Sequence, residues 1–360
     1  GDVWLGHRRL SIIDLNTGNQ PIFNKTKDLC IIYNGEIYNY RDLRKELQEK
    51  GYQFSTDSDT EVILKLYEQQ GFDSFAKLNG IFAFAICDNR EKKNKLILVR
   101  DFYGIKPLHY YYSNNLFIFS SEQKAILLHP EVKRILNNQA LHYHFNLRYT
   151  PGEETLFKNI FRLPPAHFLV VEDGEIVKKQ KYYSIQQNIE HAVSEEEWKV
   201  RIVTQLREAV KRQLVSDVPI GVYLSGGMDS SSIVAMMRDL GVDRISTFSM
   251  GFNEPTDELD DARSIAQYYE TDHHEIKMDL NPMQMMPEVI WHAEEPKINL
   301  LQGYLMSQFV SKSVKVILSG LGGDELFSGY DIHRYIYPFN RLHQMIPSWL
   351  EEKLFSGISH

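Results

Sequence analysis

The nine residues Tyr223-Leu224-Ser225-Gly226-Gly227-Met228-Asp229-Ser230-Ser231 have the composition of an anion-holding turn. Val218 to Leu224 is an apolar run that reads as a buried strand, with Pro219 tolerable near its start. Two adjacent glycines break the run, and Ile233, Val234, Met236, Met237 and Leu240 then follow at helical spacing. A strand, tight turn and helix in that order aim backbone N–H groups and a helix N-terminus at a negative ligand. Ser225, Ser230 and Ser231 add hydroxyl donors, and Asp229 can hold Mg²⁺ beside a phosphate chain. An isolated Gly-Gly pair is more often a plain loop with a polar helix cap. The complete pattern favours the phosphate site.

Two further apolar runs end in polar turns. Thr247-Phe248-Ser249-Met250-Gly251-Phe252 offers backbone and Met250 to line an adenine pocket. Ile317-Leu318-Ser319-Gly320-Leu321-Gly322-Gly323-Asp324-Glu325 breaks into glycines and carboxylates. Asp229 and Asp324 could together hold Mg²⁺ on phosphates, offsetting charge on a leaving pyrophosphate. In an open α/β sheet, ligands bind beyond the carboxyl ends of the strands, where all three turns lie. The His273-His274 pair is a weaker metal signal. Strand neighbours point to opposite faces, so a hydrogen-bonding role is favoured for them.

The elements that position these turns alternate along the second half. Helices are predicted at about 195–214, 230–240, 258–270 and 300–312, and strands at 218–224, 245–250, 273–277 and 314–318. That alternation indicates a doubly wound parallel sheet. Residues 1–183 instead read as strands and turns with helices near 40–50 and 60–70, an α+β pattern with antiparallel pairing. A polar stretch, 184–194, reads as a linker. The expected domains are therefore 1–183 and 194–360.

At 360 residues, 43% hydrophobic and 24% charged, the chain has the makeup of a soluble two-domain protein. A net charge of −8 argues against a sequence-independent grip on nucleic acid. No apolar run approaches the roughly 18 residues of a membrane span, and no signal peptide is visible. Cys30 and Cys87, each in an apolar stretch, read as core residues and make no disulfide framework or zinc spacing, which fits a cytoplasmic protein.

The Ser-Gly-Gly-x-Asp-Ser pattern after a strand resembles the pyrophosphate loop of the ATP pyrophosphatase superfamily, and no Walker-type lysine follows it. The resemblance implies ATP cut at the α-phosphate, releasing pyrophosphate and leaving an adenylate. In the first half, His7-Arg8-Arg9-Leu10-Ser11-Ile12-Ile13-Asp14, Tyr33-Asn34-Gly35-Glu36-Ile37-Tyr38-Asn39, Ser58-Asp59-Thr60-Glu61 and Arg100 to Leu108 resemble the glutaminase domain of glutamine-hydrolysing asparagine synthetases. Ser120 to Ala125 and Leu163 to His167 continue the likeness, which covers nearly the whole chain in the family's order. It implies an Ntn-hydrolase-like domain of stacked antiparallel sheets followed by an incomplete synthetase domain. The small-molecule partners implied are glutamine, ATP with Mg²⁺, and aspartate or another carboxylic acid. A homodimer is compatible with it.

The implied site roles obey elementary chemistry. Arg9 would take glutamine's α-carboxylate and Asp59 its α-ammonium, with Leu10, Ile12 and Glu36 lining the pocket. The Asn34 amide and Gly35 N–H would form an oxyanion hole. Alone, Asn-Gly reads as a type I′ hairpin turn. On the ATP side, Leu224, Ser225, Gly226, Gly227, Asp229, Ser230, Met250, Ser319 and Gly320 would contact the nucleotide, and Asp229 and Asp324 the metal. The family's nucleophile is an N-terminal cysteine activated by its own amine. Gly1 is not that residue, and the pattern places it a few dozen residues upstream. The expectation is a fragment that, as given, binds glutamine poorly and hydrolyses none.

Three departures bear on the acceptor. Leu321 stands where these synthetases usually carry an acid. Glu294-Glu295-Pro296-Lys297-Ile298-Asn299 differs from the usual acidic stretch, and His360 ends the chain before the family's later acceptor-binding region. Three readings are compatible with the residues: amidation of aspartate or another acid, a ring-forming amide synthetase like the β-lactam synthetases, and a non-catalytic nucleotide- or glutamine-binding regulator. The intact Arg9, Asn34, Gly35 and Asp59 favour the first.

Overall fold

A computed structural model describes residues 3–113, 116–190, 192–252, 257–278, 282–297 and 299–344. The chain divides into two compact units, one of residues 1–220 with 279–316 and one of 221–278 with 317–360.

In the first unit, strands β1 (Ile22–Phe23), β2 (Leu29–Ile37), β3 (Gly80–Asp88), β4 (Lys95–Arg100), β8 (His167–Glu172) and β9 (Glu175–Lys181) form one sheet in that spatial order. All its neighbouring pairs are antiparallel. A second antiparallel sheet holds β6 (Leu116–Ser120), β5 (His109–Ser113) and β7 (Ile160–Arg162). Side chains alternate across a strand, so β2 and β3 each serve two cores. Leu29, Ile31, Tyr33, Phe82, Phe84 and Ile86 pack with helices α1 (Tyr40–Glu49) and α2 (Asp59–Gln70). Ile32, Ala83, Ala85 and Cys87 face Tyr110, Phe117, Phe119 and Phe161 of the second sheet. Burial on both faces explains why these strands read as unbroken apolar runs.

Helix α2 starts where Ser58 caps it, the Ser58 Oγ accepting from the Thr60 N–H at 3.2 Å. Asp59 and Glu61 occupy its first turn, where the helix dipole favours negative charge, and Gly71 at φ +58° ends it. Helices α3 (Gln123–Ile126), α4 (Asn138–Leu147), α5 (Glu195–Gln213), α8 (Pro282–Ala293) and α9 (Leu300–Val310) complete the unit.

The second unit is built on a sheet ordered β12 (Asp272–Lys277), β11 (Ser246–Gly251), β10 (Ile220–Tyr223) and β13 (Val316–Leu318). The β10–β11 and β11–β12 pairs are parallel, as the alternation of elements predicts. Helices α6 (Met228–Asp239), α7 (Leu259–Tyr268), α10 (Gly323–Phe327) and α11 (Asp331–Gln344) accompany it. Observed ends lie within two residues of those expected for the helix after the glycine pair and for the strand at 245–250.

Candidate active sites

The first site gathers on β2 and the start of α2. Asp59 is buried, accepts from the Tyr33 hydroxyl at 2.8 Å and from the Ile37 N–H at 3.1 Å, and so ties the helix to the strand. Burial raises its pKa, against the pull of those hydrogen bonds. Glu36 is buried as well, and its Oε1 has no hydrogen-bond partner. Desolvation pushes its carboxyl up to about 7; the charge of Asp59 adds to the effect and Lys106 opposes it. A buried, partnerless carboxylate oxygen invites a donor from a ligand.

Asn34 and Gly35 are not a hairpin turn. Both lie inside β2, directly opposite Ala83 and Phe82 of β3. Gly35 has φ +151°, and a Cβ there would sit 2.1 Å from the Ile81 carbonyl oxygen. Glycine is required by this close approach of two strands. Exposed Asn34 presents its amide at the surface of the sheet.

Arg9 comes from the N-terminal loop. Its Nη2 donates to the carbonyls of Ile13 and, at 2.8 Å, Asp14, whereas its buried Nη1 has no partner. Asp14 in turn accepts from the N–H groups of Thr17 at 2.8 Å and Asp57 at 3.0 Å. The loop bearing Arg9 is thereby fastened to the one that leads into Asp59. Leu10 is exposed and Ile12 packs on the edge of the helix-side core.

Several positioning residues carry no chemistry visible in a sequence. Glu61 accepts from Ser55 N–H at 3.0 Å and from Thr56 N–H at 2.7 Å, shaping the loop before Asp59. Asp101 accepts from the N–H groups of Tyr103, Ile105 and Lys106 at 2.9–3.0 Å. Arg100 donates to the carbonyls of Gly104, Lys106 and Leu163. The Arg100–Leu108 motif is thus the end of β4 and a loop held by two buried charged residues, Arg100 and Asp101. Buried charges survive when so fully hydrogen-bonded.

Glu294 and Glu295 belong to this unit too. Glu294 accepts from the N–H groups of Gln123 and Lys124 at 2.6 and 2.7 Å, and Glu295 pairs with Arg162 at 3.3 Å. They border a polar cavity of about 320 Å³ shared with His109, Gln123 and Arg162. Desolvation, with help from Arg162, lowers the His109 pKa to about 4, so its ring is neutral. Ile298 of the same stretch lies outside the described residues.

The second site lies at the ends of β10 and β13. Gly226 has φ +84°, and a Cβ on it would meet Asp261 and Ala262 of α7 at 2.6 and 2.7 Å. Gly227 caps α6 and leaves the first-turn N–H groups open toward the loop. Ser225 and Ser230 hold each other, Oγ to Oγ at 3.1 Å, and the Ser230 Oγ also donates to the Gly227 carbonyl. Ser231 Oγ is buried without a partner. Leu224 is buried, and its N–H donates to the Phe248 carbonyl at 2.9 Å.

The glycine-rich turn after β13 closes on the same point. A Cβ on Gly320 would lie 2.7 Å from the Asp229 Cβ, and one on Gly323 would lie 2.0 Å from Asp229 Oδ2. Two turns about 90 residues apart in sequence converge on one carboxylate. Asp324 sits beside it in the first turn of α10. The Tyr330 phenol is pushed up mainly by its hydrogen bond to Glu325, and both Asp324 and Asp229 add to the effect. Among the described residues neither aspartate forms an ion pair, and no three His, Cys, Asp or Glu side chains surround a point. Two free carboxylates beside an anion-binding turn suit Mg²⁺, which takes one or two protein carboxylates and completes its shell with phosphates and water.

Ser319 is exposed at the end of β13, and Leu321 is 87% exposed in the turn beyond it. Met250 is half-buried at the end of β11, opposite Ile276. The two histidines part as expected: His273 Nδ1 meets the Thr247 hydroxyl at 2.9 Å, and the His274 ring stacks on Phe248.

The chain thus combines a unit of two antiparallel sheets with a parallel-sheet unit that carries a glycine-rich turn after β10. Residues 1–183 match the glutamine amidotransferase domain family and residues 201–357 the asparagine synthase family. The chain is 36% identical over 366 residues to asparagine synthetase [glutamine-hydrolyzing] 1 of Bacillus subtilis, covering 98% of this chain and 55% of that one. Over 347 residues it is 33% identical to asparagine synthetase B [glutamine-hydrolyzing] of Escherichia coli, covering 91% of this chain and 56% of that one. Amidase chyE of Penicillium rubens is 33% identical over 359 residues, with 92% of this chain and 52% of that one covered. The chain belongs to the asparagine synthetase family. It spans about half the length of these three relatives. Among the described residues no helix is long and apolar enough to cross a membrane.

Proposed function

We propose that the whole protein uses glutamine as nitrogen donor and ATP to amidate a carboxylic acid, with aspartate, giving asparagine, as the first-choice acceptor. The observation that carries this reading is the convergence of the Ser225–Ser231 and Ser319–Asp324 turns on Asp229, in a chain whose other unit holds the Arg9, Asn34, Gly35 and Asp59 set.

In the first unit, the partnerless Arg9 Nη1 takes the glutamine α-carboxylate in a charge-assisted hydrogen bond. Asp59, ionised when an ammonium sits against it, takes the α-amino group, and protonation-prone Glu36 lines the pocket. Leu10 and Ile12 wall it. The Asn34 amide and the Gly35 N–H hold the oxyanion that develops as the side-chain amide is attacked.

In the second unit, the open N–H groups of α6 with Ser225, Gly226, Gly227 and Ser230 cradle the leaving pyrophosphate. Leu224 and Met250 border the adenine, and Ser319 and Gly320 the neighbouring edge of the nucleotide. Asp229 and Asp324 would hold Mg²⁺, which when bound offsets charge on the phosphates. The acceptor carboxylate attacks the α-phosphorus; the bond to pyrophosphate breaks, and ammonia then displaces AMP from the acyl-adenylate.

An acceptor other than aspartate is favoured by two observations. Exposed Leu321 can neither take nor give a proton, at a position where the resemblance expects an acid, and a relative at 33% identity is named an amidase. The test is incubation of the full-length protein with amide-¹⁵N-labelled glutamine, ATP and aspartate. Labelled asparagine with equal AMP is expected. Glutamate release without labelled amide would refute aspartate as acceptor.

A further inference from the structure

Both cysteines of the chain read from sequence as separate core residues, yet the fold sets them on one rung of a ladder. Cys30 of β2 is directly opposite Cys87 of β3. The same register is continued by Asn89 N–H to Asp28 O at 2.8 Å and Tyr38 N–H to Asn79 O at 2.7 Å. Each joins directly opposed residues, so even-numbered β2 positions, Cys30 included, are the hydrogen-bonded pairs. Cα atoms of such pairs lie about 5.5 Å apart, inside the roughly 4.4–6.8 Å span of a disulfide.

The two thiols are unequal. Cys30 is half-buried, beside exposed Phe23 of the short edge strand β1, whereas Cys87 is 6% exposed. Interaction with Cys87 draws the Cys30 pKa below its ordinary value, and interaction with Cys30, together with burial, pushes that of Cys87 up. Cys30 is therefore the reachable thiolate and Cys87 the sheltered thiol next to it.

We propose that Cys30 and Cys87 are a peroxide-responsive modification site that closes reversibly into a cross-strand disulfide. The Cys30 thiolate attacks hydrogen peroxide; the O–O bond breaks, one oxygen stays as sulfenic acid and the other leaves as water after taking a proton. The Cys87 sulfur then attacks the Cys30 sulfur, the S–O bond breaks, and hydroxide leaves with the Cys87 proton as a second water. Two thiols and one peroxide give one disulfide and two waters. Cβ atoms of opposed residues lie about 4.5–5.5 Å apart, wider than the roughly 3.5–4.5 Å of a relaxed disulfide, so closure strains the rung. A strained disulfide is the easily reduced kind, as a reversible site requires.

The test uses reduced full-length protein titrated with hydrogen peroxide, then alkylated and mapped by mass spectrometry. A Cys30–Cys87 cross-linked peptide should appear, two hydrogens lighter, and vanish with dithiothreitol. In Cys87→Ser, dimedone should trap a sulfenic acid on Cys30 that the unsubstituted protein does not accumulate. Both thiols still reduced when exposed Met228 and Met283 are already sulfoxides would overturn the proposal. A lasting sulfenic acid on Cys30 in the unsubstituted protein would overturn it as well.

Discussion

Replacing Gly323 by alanine should silence ATP activation while leaving the fold intact. The new Cβ would stand 2.0 Å from Asp229 Oδ2 and 2.4 Å from Asp229 Cγ, where ordinary contact begins at 3.4 Å. The carboxylate must therefore retreat by about 1.4 Å, and it can, because it is the free end of a side chain. The folding cost is correspondingly small, within about 1 kcal/mol, and alanine's better helix propensity at the start of α10 offsets part of it. Misplacing a catalytic group by about 1 Å costs on the order of 10²-fold in rate, about 2.7 kcal/mol of barrier. The assay is carboxylate-dependent exchange of labelled pyrophosphate into ATP on the full-length protein, with circular dichroism and thermal unfolding alongside. Gly303→Ala, in α9 with nothing within 4 Å of its Cβ, is the control and should be neutral. Full exchange by well-folded Gly323→Ala would show that the Asp229 carboxylate does not act from this position.

Gly35→Ala should fail differently, because its Cβ meets backbone: the Ile81 oxygen at 2.1 Å and Phe82 Cα at 2.7 Å. Overpacking and strain together predict about 2–5 kcal/mol lost in urea unfolding, and a loss under 1 kcal/mol would refute the close strand approach. Glu36 supplies a pH signature. Its folded pKa of about 7 stands above the ordinary 4.5, so the native state holds its proton more tightly than the unfolded chain. Its unfavourable contribution is absent below pH 4.5, grows between 4.5 and 7, and persists above. Glu36→Gln should change stability little near pH 5 but raise it by about 1–2 kcal/mol at pH 8, after discounting for solvent access. Equal effects at both pH values would contradict the shift.

The second unit was the more legible in sequence, for a physical reason. Strand, turn and helix at 218–240 are local and consecutive, so apolar period and glycine position alone locate them. In the first unit the decisive contacts are non-local. The pairing of β2 with β3 spans a loop holding both α1 and α2, and nothing in either strand's pattern fixes its register. That pairing turns Asn34-Gly35 from an expected hairpin signal into mid-strand residues, and it sets Cys30 against Cys87. Helix α8 contains Pro287, whose presence masks a helical pattern in sequence. Arg9, Asp59 and Asp229 were nameable from motif alone. Asp14, Glu61 and Asp101 carry no role legible in the sequence, because their work is to accept backbone N–H groups in loops.

Carboxylate-dependent ATP–pyrophosphate exchange on the full-length protein, across a panel of acids that includes aspartate, tests the central claim most directly. Mg²⁺-supported exchange with at least one acid is the result expected of the Asp229–Asp324 site. Exchange with none of them, from folded protein, would contradict it.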